Sequence, residues 1–201
     1  FIYLLMKIGI LETGGNILSL KKILSYIGFD SNLINSKENI NDFDIYILPG
    51  IGSFDNPLKK LKDLSLLEFF SNSSNLKNKK LIGICSGMQI LFDKSEEGDC
   101  KGLCLIPGNV LKFKNIKYKI PHMGWNFLET EQSLLNLKNK KFYFAHSYYV
   151  NCANKYVQAY CNYDINFPAI VRNKNIWGIQ FHPEKSHRNG MELFKNILNQ
   201  E

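Results

Sequence analysis

Residues 81–92 read Leu-Ile-Gly-Ile-Cys-Ser-Gly-Met-Gln-Ile-Leu-Phe. The apolar run before Cys85 is typical of a buried strand, and the spacing of the apolar side chains within 88–92 indicates the inner face of a helix. Gly83 and Gly87 permit the tight backbone path of a sharp turn between the two elements. The stretch therefore predicts a parallel strand, an elbow and a helix, with Cys85 at the elbow.

Cys85 has two possible roles in such an elbow. The N-terminus of the following helix would favour a thiolate through its unpaired backbone N–H groups and the positive end of its dipole. A cysteine there could act as a nucleophile. Free cysteines also serve as small buried hydrophobic residues that close a strand. The stretch alone leaves both roles open.

A second motif, His182-Pro183-Glu184, lies near the other end of the chain. It follows residues 176–181, whose alternation is typical of a strand. A histidine at a strand end can act as a base, and a carboxylate two residues later can orient its ring. A cysteine with a distant histidine is a known nucleophile signature, because the two meet in space. We therefore expect Cys85, His182 and Glu184 to form a catalytic triad.

The rest of the chain predicts an α/β fold. The first half alternates strands with helices, which implies a mostly parallel central sheet flanked by helices. After residue 108 the apolar period shifts towards two, which predicts an additional β-rich C-terminal portion. The predicted strands are Lys7–Leu11, Asn32–Asn35, Asp44–Leu48, Lys80–Ile84, Val110–Phe113, Phe142–Tyr149, Val157–Tyr163, Ala169–Arg172 and Ile176–Phe181, and the predicted helices lie at 17–27, Leu58–Phe70 and Gly190–Asn199.

Composition restricts the class of protein. The 201 residues are 45% apolar and 13% aromatic, which suits one domain with a sizeable core. The net charge is +7, from 25 basic and 18 acidic residues. The lysines are spread along the chain rather than gathered with aromatic residues, so we interpret them as a solvated surface and expect no nucleic-acid partner.

The cysteines and the N-terminus suggest a location. The five cysteines lack the paired spacing of zinc sites, so we expect free thiols, no metal and a reducing compartment. Residues 1–5 are apolar but too few for a signal peptide or a membrane span. We interpret them as an extension or a misplaced start before a domain at 6–201, and we expect a cytoplasmic protein with no membrane partner.

The sequence around Cys85 and His182 resembles the class I (triad) glutamine amidotransferases. It is more closely similar to the glutaminase subunits of imidazole glycerol phosphate synthase, an enzyme of histidine biosynthesis. Four segments carry this closer resemblance in the family's order: 48–54, 121–126, 144–149 and 181–186. The segment 121–126, Pro-His-Met-Gly-Trp-Asn, is the most discriminating, since general amidotransferases lack it. The resemblance implies a single amidotransferase domain with a flavodoxin-like fold.

The resemblance also implies roles for individual residues. The glycines within residues 49–52 would alone indicate only a turn. The resemblance implies that these residues are an oxyanion strand and that Ile51, Gly52 and the N–H of Ser86 form an oxyanion hole. Gln89, one helical turn after Cys85, would otherwise be an exposed helix residue. For His146 the alternative is a histidine satisfied within the core. The implied substrate-binding residues are Gly52, Gln89, His146, Ser147 and Tyr148, and the implied partner-interface or ammonia-passage residues are His122, Met123, Trp125, Asn126 and Lys185.

The implied function is hydrolysis of L-glutamine to glutamate and ammonia without a cofactor. The ammonia would pass to a (β/α)8-barrel synthase (cyclase) subunit in a heterodimer that makes imidazole glycerol phosphate and AICAR. Two departures from the family pattern, at Glu12–Asn16 and at Ser86, keep alternatives open. One is an amidotransferase that supplies ammonia for amidino-sugar or surface-glycan biosynthesis. The other is a catalytically silent regulatory or binding subunit.

Overall fold

The computed structural model describes residues 6–130, 137 and 139–200. The expectation for residues 1–5 lies outside these residues. Within them the strands are β1 (Ile8–Leu11), β2 (Ser31–Ile34), β3 (Ile45–Gly50), β4 (Lys80–Cys85), β5 (Lys94–Ser95), β6 (Gly108–Lys112), β7 (His122–Phe127), β8 (Lys141–His146), β9 (Tyr148–Cys152), β10 (Val157–Tyr163), β11 (Ile165–Asn173) and β12 (Ile176–Ile179). The α-helices are α1 (Ile17–Tyr26), α2 (Asp55–Asp63), α3 (Leu67–Ser71), α4 (Ser86–Gln89) and α5 (His187–Leu198).

The central sheet has seven strands in the order β10-β11-β12-β4-β3-β1-β2. The five strands from β12 to β2 are parallel, while β10 and β11 extend the sheet in antiparallel fashion. Every residue of β1, β3 and β12 is buried, as expected for parallel strands covered on both faces. The predicted mostly parallel sheet with a β-rich C-terminal portion is therefore confirmed.

Two predicted helices differ from those observed. The helix predicted at Leu58–Phe70 is two helices, α2 and α3, because Ser65 adopts a left-handed conformation with φ 57° and turns the chain between them. The helix predicted after the elbow is only four residues long, and the chain then continues as turns up to β5. Apolar spacing persists through both breaks because buried turns also need apolar side chains.

The strand predicted at Phe142–Tyr149 is also two strands. β8 pairs with β7 in one small antiparallel sheet, whereas β9 pairs with β6 in another, and Ser147 lies at the corner between them. A period of two does not reveal a corner, since both strands keep the alternation. β7 itself is absent from the predicted strands. Its outward side chains are exposed and largely apolar, which hides the usual contrast between a buried and a solvated face.

The sheet brings three strand ends to one place. Gly50 at the end of β3 pairs with Cys85 at the end of β4, and Ile179 at the end of β12 pairs with Ile84. Large apolar side chains pack on both faces of the sheet and fix its position. The carboxyl ends of parallel strands are where open α/β sheets bind ligands. None of the helices in the described part of the chain is long and apolar enough to cross a membrane.

Candidate active site

Cys85 lies in a strained elbow between β4 and α4. Its backbone has φ 55° and ψ −116°, a conformation that a non-glycine residue rarely adopts. The elbow packs closely on β3, since a Cβ on Gly87 would lie 2.0 Å from the carbonyl oxygen of Leu48. Such strain concentrates at functional sites. The thiol is buried but borders a pocket, as the predicted strand, turn and helix require.

His182 contacts both other members of the predicted triad. Its Nδ1 lies 2.8 Å from Oε1 of Glu184, and its ring is hydrogen-bonded to the Cys85 thiol. The backbone N–H of His182 donates to the carbonyl of Tyr143 at 2.8 Å, which ties the loop after β12 to β8. The side chains of His182 and Glu184 are 4% and 3% exposed. The structure thus brings Cys85 together with His182 and Glu184, which lie in a distant part of the sequence.

The surroundings of His182 favour its protonated form. Burial lowers its pKa, but the hydrogen bonds to Cys85 and Glu184 and the negative charge of these partners outweigh burial and raise the pKa to about 10. At neutral pH the ring is therefore an imidazolium between two acidic groups. An imidazolium at this position can hold a proton beside the sulfur and later return it, as acid–base catalysis requires.

A pocket of about 400 Å³ opens beside Cys85, a volume within the range of small-molecule sites. It collects most of the residues that the sequence suggested for the site. Those in its wall are Ile51, Gly52, Cys85, Gln89, Met123, His146, Ser147, Tyr148, His182 and Lys185. Within the described ranges, no group of three or more His, Cys, Asp or Glu side chains could hold a metal ion.

The predicted oxyanion segments lie against each other. Ile51 and Gly52 follow β3 and line the pocket, and Gly52 has φ 76°. Ser86 is buried behind them, with its Oγ so near Gly50 that an added Cβ there would lie 2.3 Å away. The same Cβ would lie 2.2 Å from the backbone nitrogen of Gly87. Gly50 is therefore required for this approach of strand to elbow.

Two histidines next to the pocket are uncharged. His146 Nδ1 donates to the carbonyl of Tyr148 at 2.8 Å, and His146 Nε2 lies 3.0 Å from Nδ1 of His122. Burial lowers the pKa of His146 to about 3 and that of His122 to about 4. His122 is stacked between Phe144 and Tyr163. Both ring nitrogens of His146 are thus engaged within the protein, which leaves its backbone and ring edge to face the pocket.

Glu97 is a pocket residue that the sequence does not predict. Its Oε2 accepts the backbone N–H of Phe54 at 2.8 Å, and burial raises its pKa. The only signal in the sequence is an acidic pair at 96–97 in a polar loop, which is typical of solvated surface. The fold places the second of these carboxylates in the pocket wall, and no feature of the sequence indicates this position.

An apolar surface adjoins the pocket, which we call the β7 surface and define by Met123, Trp125, Phe127, Lys185 and His187. Trp125 is 43% exposed and stacks on the ring of His187, with the centroids 5.2 Å apart. Lys185 lies over the ring of Tyr143. Met123 and Lys185 also line the pocket, so surface and pocket are continuous.

The predicted partner-interface residues do not all lie on this surface. Met123, Trp125 and Lys185 are exposed there. Asn126 lies on the same strand and donates through Nδ2 to the carbonyl of Asn162. His122 is buried beneath the strand and belongs to the histidine pair instead.

Comparison with known proteins supports one family. The model of the class-I glutamine amidotransferases matches residues 15–200. Imidazole glycerol phosphate synthase subunit HisH 2 of Methanococcus maripaludis is 42% identical over 200 residues, which cover 96% of this chain and 99% of that protein. The HisH subunit of Carboxydothermus hydrogenoformans is 42% identical over 91% of this chain and 94% of its own length. That of Bacillus anthracis is 43% identical over 94% and 93%.

Solved structures agree on the fold. A crystal structure of a glutamine amidotransferase superposes with a TM-score of 0.75 at 20% identity, covering 95% of this chain and 96% of its own. The structure of PurLQS from Thermotoga maritima gives 0.73 at 21% identity, covering 96% and 98%. At these identities the likeness concerns the arrangement of the backbone.

Proposed function

The chain belongs to the class I glutamine amidotransferase family, among relatives that are HisH subunits of imidazole glycerol phosphate synthase, and from this we propose that it hydrolyses L-glutamine for that synthase. It is a glutaminase that acts in histidine biosynthesis. One observation carries the proposal: the buried ring of His182 is held between the Cys85 thiol and the Glu184 carboxylate at the wall of a pocket of about 400 Å³.

The proposed reaction follows from the chemistry of an amide, which is a poor electrophile. The Cys85 sulfur attacks the side-chain carbonyl carbon of glutamine, and the protonated His182 gives its proton to the departing nitrogen. The C–N bond breaks, ammonia leaves and a γ-glutamyl thioester remains on sulfur. Water then attacks the thioester while His182 takes its proton, and the S–C bond breaks to release glutamate. Glu184 holds the ring in place and stabilises its positive charge.

The negative oxygen of each tetrahedral intermediate needs hydrogen-bond donors. We assign this role to backbone N–H groups from Ile51 or Gly52 and from Ser86. Their segments meet at the point where Gly50 packs on the elbow. Removal of one such donor costs about 2.7–4 kcal/mol of transition-state stabilisation.

The opposite end of the substrate would be held by the rest of the pocket wall. Glu97 and Gln89 offer acceptors for an α-ammonium group, and Ser147 and Tyr148, at the corner between β8 and β9, offer donors for an α-carboxylate. An amino acid carries both groups on one carbon, so it matches this part of the wall while its side-chain amide reaches Cys85. His146 supports this corner through its hydrogen bond to the Tyr148 carbonyl.

The ammonia must reach a second active site without meeting bulk water, where it would become ammonium and lose its nucleophilic lone pair. We propose that a (β/α)8-barrel synthase subunit covers the β7 surface and receives ammonia there. This surface is continuous with the pocket and exposes large apolar side chains, as interfaces do. Hydrolysis should therefore be weak for the isolated chain and strongly stimulated in the complex.

Glutamate release by the chain and its synthase subunit tests the proposal. Cys85→Ala should abolish release, whereas Cys104→Ala, which removes an exposed thiol, should retain it. Addition of the acceptor substrate should raise the wild-type rate. Full activity in Cys85→Ala, or equal rates with and without the synthase subunit, would contradict the assignment.

A further inference from the structure

A buried hydrogen-bond network behind the pocket fixes the orientation of Gln89. The carbonyl of Tyr148 lies 3.0 Å from one side-chain terminal atom of Gln89. A carbonyl can only accept, so the atom facing it is the amide nitrogen, Nε2. The same nitrogen lies 3.2 Å from Oε1 of Gln180. Both N–H groups of Gln89 are therefore committed to the protein.

The side-chain oxygen of Gln89 is left for the pocket. In the part of the chain that the structure describes, no group donates a hydrogen bond to it, and Gln89 lines the pocket wall. The network thus determines the chemistry of this part of the wall. It presents an acceptor, which suits an ammonium or amide N–H group and disfavours a carboxylate.

Gln180 completes this arrangement from outside the pocket. It follows β12, is 0% exposed and anchors its backbone N–H to the carbonyl of Ala169 at 2.9 Å. Its Oε1 faces Gln89, and its own Nε2 has no partner among the described residues. A buried amide N–H without a partner is unfavourable, since it has lost its hydrogen bonds to water. A side chain that serves packing alone would not need this amide.

We propose that Gln180 is a positioning residue for substrate binding, which holds the Gln89 amide with its oxygen towards the pocket. The Tyr148 carbonyl gives one point of attachment, about which the amide can still turn. The Gln180 oxygen gives the second, which fixes the plane of the amide. The inference rests on the proposed function, since glutamine is the ligand whose ammonium or amide would meet this oxygen.

Steady-state glutamate release by the complex with the synthase subunit tests the inference. Gln180→Met keeps the length of the side chain but removes the acceptor. We expect KM for glutamine to rise about five- to tenfold with kcat within about twofold of wild type, because one orienting hydrogen bond to the substrate contact is lost. Gln158→Met, at a half-buried glutamine of β10 away from the pocket, should leave both constants unchanged.

A double-mutant cycle separates positioning from a general loss of structure. Gln89→Met should raise KM at least as much as Gln180→Met. The double variant should have the same KM as Gln89→Met alone, because both changes remove the same contact. An unchanged KM in Gln180→Met, or effects that multiply in the double variant, overturns the inference. If Gln180→Met does not fold, Gln180→Asn, which withdraws the oxygen by one methylene, should show the same rise.

The proposed function and the role of Gln180 fail under different outcomes. The proposed function is contradicted if the wild-type complex releases no glutamate and the complex that carries Cys85→Ala shows no heat of glutamine binding. The role of Gln180 alone is contradicted if glutamate release and glutamine binding are both observed, but Gln180→Met binds glutamine with the same affinity as the chain that retains Gln180.

Discussion

The charge of one imidazole ring controls the proposed site. The pKa of His182 is raised to about 10, because Cys85 and Glu184 stabilise its protonated form against the effect of burial. The imidazolium is fully present below its ordinary pKa of about 6.5 and is lost only as pH rises through about 10. The imidazolium should therefore persist across the neutral range.

Replacement of Glu184 by Gln tests this dependence on charge. The variant removes a negative charge that raises the pKa of His182, so the alkaline limb of the rate profile should move to lower pH. We also expect kcat to fall by about 10²–10⁴-fold, the range seen when the orienting carboxylate or the base is lost. The measurement is glutamate release by the complex from about pH 6 to about pH 10.5, a range chosen around the reference and raised pKa values. Glu68→Gln, on the exposed side of α3, is the control, and an unshifted limb in Glu184→Gln would refute the dependence.

A methyl group at Gly50 should separate strand from elbow. Its Cβ would meet backbone atoms of Ser86 and Gly87 at 2.2–2.8 Å, which side-chain movement cannot relieve. We expect Gly50→Ala to lower the free energy of unfolding by about 1–3 kcal/mol and to abolish glutamate release. Gly28 has open space around it but a φ of 91°, so Gly28→Ala should lower the free energy of unfolding by about 1 kcal/mol and keep its activity. Urea unfolding and the glutaminase assay together check this, and an active Gly50→Ala would exclude the close approach.

At this scale the sequence predicts residues whose chemistry is rare and whose spacing is local. Cys85, His182 and Glu184 are predictable because a cysteine at a strand end, with a distant histidine that precedes a carboxylate, is uncommon outside catalytic sites. Glu97 is not predictable, because a carboxylate in a polar loop usually belongs to solvated surface. The engagement of both His146 nitrogens is not predictable either, since it requires His122 of β7 and Tyr148 of β9 both to contact His146 at the end of β8.

Among the secondary-structure elements, breaks are harder to predict than periodicity. The strands of the parallel sheet follow from their apolar runs, and their order places the site. The break between α2 and α3 leaves no apolar gap, because Leu64 and Leu66 pack on either side of it. The corner at Ser147 likewise falls inside an unbroken alternation. Long-range pairing decides both, and a local period cannot report it.

Ser65 offers a test of that break. Its φ of 57° costs a residue with a Cβ about 1 kcal/mol, which glycine avoids while losing more entropy on folding. Ser65→Gly should therefore raise the free energy of unfolding by about 0.5–1 kcal/mol without changing glutamate release. Ser65→Ala retains the strain and should give no gain. Urea unfolding of the two variants decides the matter, and equal stabilities would show that the turn is unstrained.

For the molecule as a whole, the β7 surface should determine assembly. Trp125 is an exposed aromatic beside the pocket mouth, a residue type that often dominates interface energetics. We expect Trp125→Ala to weaken binding of the synthase subunit by about 2 kcal/mol, roughly 30-fold in Kd. Tyr26→Ala removes an aromatic that is 79% exposed on α1 and should leave Kd unchanged. Titration calorimetry with the purified synthase measures both, and equal Kd values would place the partner elsewhere.

The position of β12 has a consequence for biosynthesis of the protein. This strand is inserted between β4 and β11 although it is the last strand of the chain, and His182 and Glu184 follow it. A nascent chain whose β12 segment is still inside the ribosome has the proposed nucleophile but not the proposed base, and one edge of β4 is unpaired. Such an incomplete chain should not hydrolyse glutamine. The open edge of β4 also makes it prone to aggregation until β12 is synthesised and pairs with β4.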